Sequence, residues 1–252
     1  MMDFSTLEFT MDSNSWLWFF SVFVQFGFVL LAYKLFGKVG LFAYMGITIL
    51  VLNLVTVKLV EYGMFGGLVL GVGAALHGTT FLTTDILNEN YGKKEARKAL
   101  WLGITFAGFA VLLLQLALQF EPAGIDFMHD HMVAVFGFAT RIVIASLTAF
   151  LVSGLIDIWL FRKFRDKENS KLWVSNNIST WIGKTVDVVL FIFLAFYGIL
   201  PLEVMIAMIP ITYAIDIATT MIDTPYVYVA RWLKDKNKVG VLNFRENQSE
   251  QQ

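Results

Sequence analysis

Four stretches of this chain, residues 16–33, 39–57, 62–84 and 99–120, run without a single Asp, Glu, Lys or Arg. Backbone N–H and C=O groups that enter hydrocarbon have no water to bond, so an apolar run of about 20 residues satisfies them as a membrane-crossing helix. Three later windows, residues 132–161, 181–200 and 204–230, are comparably apolar but carry Arg141, Asp157, Lys184, Asp187, Asp216 and Asp223 within or beside them. Pro201 separates the last two, because it starts a turn or a new helix rather than continuing an old one. The expectation is an all-α, polytopic membrane helix bundle with about seven transmembrane helices. Composition agrees: 57% of residues are hydrophobic and only 15% charged, against roughly a quarter charged in soluble domains.

The formal net charge of -1 supplies no basic field for a nucleic acid or an anionic lipid surface, so neither partner is expected. Cysteine is absent, which removes disulfides, thiolate nucleophiles and thiolate metal sites together. Local charge is informative where net charge is not. Lys34 and Lys38 follow the first window, Lys93, Lys94, Arg97 and Lys98 the third, Arg162, Lys163, Arg165, Lys167 and Lys171 the fifth, and Arg231, Lys234, Lys236 and Lys238 the seventh. The opposite ends hold Asp3, Glu8 and Asp12, then Lys58 with Glu61, then Glu121, Asp126 and Asp130, then Glu203. Basic loops stay cytoplasmic, so the alternation predicts an N-terminus outside and a C-terminus inside a cell membrane. Residues 1–15 then form an extracytoplasmic segment, 16–230 one transmembrane domain and 231–252 a polar cytoplasmic tail. The acidic lead lacks a basic n-region and a small-residue cleavage site, so the first span is expected to persist in the mature protein.

Ionised side chains are costly at membrane depth and face a cavity or a partner. Asp85 and Glu89 close the third window, Asp157 closes the fifth, Lys184 and Asp187 open the sixth, and Asp223 lies in the cytoplasmic half of the last. The topology puts them in one leaflet, where they repel one another unless protonated, paired with Lys184 or Arg97, or bound to a cationic ligand. Within TTDILNENYG, Asp85, Asn88 and Glu89 share one helix face at i, i+3 and i+4 spacing, although Glu89 alone also fits a solvated helix end. Asn53, Lys58 and Arg141 offer donors nearer the outer face. His77, beside Gly78 and after the small residues GVGAAL, is read as a packed histidine, and His129 and His131 as surface side chains, with no metal site.

TTDILNENYGKKEAR, TRIVIASLTAFLVSGLIDIWLF and STWIGKTVDVVLF together resemble the queuosine precursor transporter family, also called the vitamin uptake transporter family, over about residues 53–228. The first motif is the most specific, since an acid, an amide, a second acid, Tyr-Gly and a basic run stand in fixed order at a helix end. The resemblance implies a secondary carrier for 7-deazaguanine precursors, with a core similar to the substrate-binding subunits of energy-coupling-factor vitamin transporters. It places the family's pattern on Asn53, Lys58, Asp85, Asn88, Glu89, Tyr91, Gly92, Arg141, Asp157, Ser179, Gly183 and Asp187. Two positions depart from that pattern: Lys184 stands where an amide is expected before the span-six acid, and Asp216 where a lysine is expected in the last span. The two are candidates for a relocated ion pair, or mark a subfamily with another substrate. The substrate site expected on this basis comprises Asn53, Lys58, Asp85, Asn88, Glu89, Arg141, Asp157, Lys184, Asp187 and Asp216.

The first reading is therefore an importer of queuosine precursors, not an enzyme, with proton movement on a buried acid as its coupling step and no cofactor. Its partners are a small deazapurine and the bilayer, with a homo-oligomer as a further candidate. A second reading is the binding subunit of a separately energised complex, or a carrier for another vitamin or nucleobase; dependence of uptake on partner proteins separates it from the first. A third is an intramembrane hydrolase built on paired acids, for which a hydrolytic product in vesicles is the mark. A purely structural membrane protein does not explain the polar face from Asp85 to Glu89.

Overall fold

The computed structural model describes residues 10–56, 58–136, 140–166 and 171–242, and within their helices and strands all side chains except those at 68–70, 74–75, 140–143 and 211. The chain runs α1 Ser13–Val55, a hairpin of β1 Leu59–Tyr62 and β2 Leu68–Gly71, then α2 Ala74–Tyr91, α3 Lys93–Ala117, α4 His129–Phe136, α5 Thr140–Arg165, α6 Leu172–Phe196 and α7 Leu202–Asp235. Five of these helices, α1, α3, α5, α6 and α7, are long and apolar enough to cross a membrane. Large apolar side chains such as Phe20, Phe106, Leu112 and Ile206 cover their outer faces, as lipid contact requires.

The first two charge-free windows fold as one helix of 43 residues broken at Gly37, whose φ of 62° and ψ of -143° turn the chain where other residues rarely can. Beside the break, the backbone N–H groups of Val241 and Leu242 donate to the carbonyls of Lys34 and Leu35 at 3.1 and 2.8 Å. The break brings the two halves of α1 against α2 and α3.

The third window departs from expectation, because it is not one spanning helix. Its first half is the antiparallel hairpin, pairing Leu59 with Gly71 and Tyr62 with Leu68 around a 3-10 turn at Gly63–Phe65. The reason is local: Gly63, Gly66, Gly67, Gly71 and Gly73 fall within eleven positions, and glycine disfavours helix interiors by about 1 kcal/mol relative to alanine. The hairpin docks on the start of α1. Asn14 donates to Glu61 O at 3.0 Å, Gly63 N–H to Asp12 Oδ1 at 3.2 Å and Met64 N–H to Ser15 Oγ at 3.0 Å. Asp12 also caps α1, and the hydroxyl of Ser15 first, with neighbouring amides, holds its carboxyl below the usual carboxylate range. The fifth window is likewise divided, into α4 and α5.

Pro201 caps α7 as the sequence predicts, while Pro210 and Pro225 lie inside that helix with Asp216 and Asp223 between them. The tightest helix pair is α5 with α6, where Gly183 permits close approach: a Cβ there would stand 2.9 Å from Asp157 Cβ and 3.3 Å from Ser153 O. Helices α2, α5, α6 and α7 thus enclose the polar interior, and α1 and α3 buttress α2.

Candidate substrate site

Much of the polarity on α2 is satisfied within the helix. Thr79, Thr80, Thr83 and Thr84 are buried, yet each hydroxyl donates to a carbonyl three or four residues earlier at 2.6 to 2.8 Å. His77, Asp85 and Asn88 are left to find partners across the bundle.

Asp85 Oδ2 accepts from Thr180 of α6 at 3.2 Å, and Asn88 donates to Ile158 O of α5 at 3.0 Å. Asp223 Oδ1 accepts from Asn176 at 3.0 Å. Their other oxygens, Asp85 Oδ1, Asn88 Oδ1, Asn176 Oδ1 and Asp223 Oδ2, have no hydrogen-bond partner, and neither has either oxygen of Asp157. Ser179, Thr180 and the Asp85 carboxyl lie beside Asp157; the two hydroxyls already donate to Asn176 O and to Asp85, so a proton shared with Asp85 is the donor left to Asp157 among the described residues. Asp85, Asp157 and Asp223 are fully buried and lie within coulombic reach of one another. The result is a buried cluster of six acceptors without hydrogen-bond partners, with Trp181 Nε1 the one such donor on α5, α6 and α7, among the described residues. Native interiors leave few such atoms, each costing about 1–3 kcal/mol, so a group of them marks where protons or the donors of a ligand are needed.

Next to this cluster the charges are matched. Lys184 Nζ lies 2.8 Å from Asp216 Oδ1 and 4.9 Å from the centre of the Phe81 ring, so the relocated pair considered from the sequence does form. Asp187 Oδ1 accepts from Ser153 at 2.9 Å. His77 stands between the two acids, Nε2 at 3.4 Å from Asp187 Oδ2 and Nδ1 at 3.7 Å from Asp216 Oδ1. Among the described side chains, five carboxyl groups therefore share one buried ammonium; the remaining charge is offset by protons or by a bound cation.

Of the ten residues singled out from the sequence, Asp85, Asn88, Asp157, Lys184, Asp187 and Asp216 meet in this interior. Glu89 does not: Arg165 grips it with two bonds of 2.8 Å, and Arg231 approaches to 3.5 Å, at the basic end of the bundle. There Arg162 donates to Asn88 O at 2.8 Å and Lys234 to Asn90 O, capping the last carbonyls of α2. Asn53 donates to Ile49 O in its own helix at 2.8 Å and touches Ser146 at 3.5 Å, and Lys58 is exposed before the hairpin, so neither reaches the acids. Arg141 belongs to the first turn of α5, and its side chain lies outside the described residues.

The sequence reading missed His77 as a partner of the acids and left Asp223, Asn176, Ser153 and Thr180 out of the site. A signal existed for part of this set: Asn176, Thr180, Gly183 and Asp187 recur at i, i+4, i+7 and i+11, one inward stripe of α6.

Residues 71–230 match the model of the family described as "Putative vitamin uptake transporter". The chain is 38% identical over 220 residues to a Bacillus subtilis (strain 168) protein named "Probable queuosine precursor transporter", covering 86% of this chain and 95% of that one. A Haemophilus influenzae (strain ATCC 51907 / DSM 11121 / KW20 / Rd) protein of the same name is 28% identical over 118 residues, 46% of this chain and 48% of its own. No solved structure matches the chain.

Proposed function

The chain belongs to the vitamin uptake transporter family, and from that premise we propose that it is a multi-pass membrane carrier importing queuosine precursors, 7-deazaguanines, by a secondary, proton-coupled mechanism. The observation that carries the substrate reading is the surplus of buried, unanswered acceptors at Asp85, Asn88, Asp157, Asn176 and Asp223. A deazaguanine presents N–H donors along its pyrimidinone edge and pyrrole ring, the complement such a cluster needs. Its carbonyl needs a donor in turn, and Trp181 Nε1, on the same helix as Asn176 and Thr180, is a buried donor without a partner among the described residues. The aminomethyl precursor adds a cation that offsets the acidic crowding, while the nitrile precursor is neutral and does not. We assign substrate contact first to Asp85, Asn88 and Asp157, with Lys184, Asp187 and Asp216 setting the charge around them, and place Glu89, Asn53, Lys58 and Arg141 along the route in or out.

The basic ends carrying Lys38, Arg165, Arg231 and Lys234 are assigned to the cytoplasm, and the hairpin with the start of α1 to the outer face. Uptake of labelled 7-deazaguanine precursors into cells lacking both their synthesis and any equivalent carrier tests the reading, with queuosine in tRNA as readout. Restored modification that disappears in Asp85→Asn at normal membrane abundance is the expected result. No restoration by the correctly inserted wild-type chain would overturn it.

A further inference from the structure

The carrier reading leaves open which group takes the coupled proton, and the acids already described are not the best placed. We propose that His77 is the proton-binding site of this carrier, and that its protonation is passed to the substrate site through Asp216 and Lys184. Each imidazole nitrogen faces a different carboxylate, Nε2 that of Asp187 on α6 and Nδ1 that of Asp216 on α7. A neutral ring has one N–H and answers one of them; the cation has two and answers both. At 3.4 and 3.7 Å neither contact is a formed hydrogen bond, so both have room to shorten when the second proton arrives.

The charges around the ring give the proton a consequence. The groups facing it are Asp187 and Lys184 from α6 and Asp216 from α7; α5 contributes the Phe150 ring and, through Ser153, a hydroxyl on Asp187. With His77 neutral, Lys184 offsets one of two carboxylates and the group carries a net negative charge. With His77 protonated it is balanced. Lys184 also acts electrostatically on Asp157 and Asp223, so a second cation on Asp216 loosens the claim of Asp216 on the ammonium and turns its field toward the substrate site.

Exposure differs within the group. The His77 side chain is 17% exposed, Asp187 10%, Asp216 6% and Lys184 not at all, so the ring is the most accessible member of the group. It is also held in place: an edge-on contact with Phe81 at 5.5 Å and a tilted one with Phe150 at 6.1 Å flank it, and a Cβ at the adjacent Gly78 would meet Thr219 of α7. His77 lies in the first turn of α2, soon after the glycine-rich hairpin, where acids of α6 and α7 face one imidazole.

Two measurements test this, and only the second rests on the carrier reading. In purified protein carrying His129→Gln and His131→Gln, the nitrogen resonances of the remaining imidazole should change from one-proton to two-proton character between about pH 8 and about pH 5, and Asp187→Asn should move that change along the pH axis. A ring whose state is constant across that range would overturn the proposal whatever the substrate is. In cells, uptake of labelled 7-deazaguanine precursor should rise as the medium is acidified from about pH 8 to about pH 5.5, and in His77→Gln that ratio should fall to near one. His77→Arg, a permanent cation, should bind precursor in membranes but fail to accumulate it. An unaltered pH ratio in His77→Gln at normal abundance would also overturn the proposal. Absence of any 7-deazaguanine uptake by the wild type counts instead against the assigned substrate, and leaves the resonance measurement to decide.

Discussion

At the scale of single residues, the interior separates side chains that hold the protein together from side chains that wait for something. Asp157 accepts no hydrogen bond from a hydroxyl or amide among the described residues, so Asp157→Asn should leave the thermal midpoint of detergent-purified protein unchanged or higher while reducing precursor uptake about tenfold or more, the value of one charged hydrogen bond. A midpoint that falls with uptake would make Asp157 a structural acid. Asp216 is the opposite case. Asp216→Asn strands the fully buried Lys184, at a cost of about 3–5 kcal/mol, whereas Lys184→Met combined with Asp216→Leu should recover most of the lost midpoint without recovering uptake. The acids were legible in the sequence because charge at membrane depth is rare enough to name itself. His77 was not: its neighbours in the chain are small and apolar, and both its partners lie on helices more than a hundred positions later.

Elements were legible wherever hydropathy alone decides. The broken α1, α3, α6 and α7 follow the apolar windows, and Pro201 stands where the sixth and seventh separate. The third window misled because a mean hydropathy cannot tell a hairpin from a helix; the density of glycine could have done so. At the α5–α6 contact glycine has a different task. Gly183→Ala should force the two helices apart at Asp157, costing about 1–3 kcal/mol by overpacking and lowering uptake, while Gly108→Ala on α3, where an added Cβ meets nothing within 4 Å, should be neutral or mildly stabilising. Equal effects of the two on thermal midpoint would show that the close approach at Gly183 is unimportant.

For the whole molecule, charge separates the two ends of the bundle. Helices alternate so that Lys38 meets Glu95, and Arg165 and Arg231 meet Glu89, at one end, while Asp12 and Glu61 sit with the hairpin at the other. Because the chain has no cysteine, single introduced thiols report their side without a background. Glu121→Cys should react with an impermeant maleimide in intact cells, and Lys236→Cys only after permeabilisation; the reverse pattern would invert the topology. Family and helix count were readable from the chain because both are carried by local motifs and local hydropathy. Which polar atoms stay unanswered was not, since it depends on whether hydroxyls from other helices are already committed, as Thr180 and Ser179 are.

The two backbone bonds from Val241 and Leu242 to the carbonyls of Lys34 and Leu35 set a limit on how far the protein can be shortened. They tie residues 241 and 242, just after α7, to the bend of α1, so that the seventh helix is fastened to the first by a link two residues long. That dipeptide closes the bundle back onto its own first helix. A cut just before it leaves two carbonyls bare at the mouth of the membrane, at a cost of about 1 kcal/mol each.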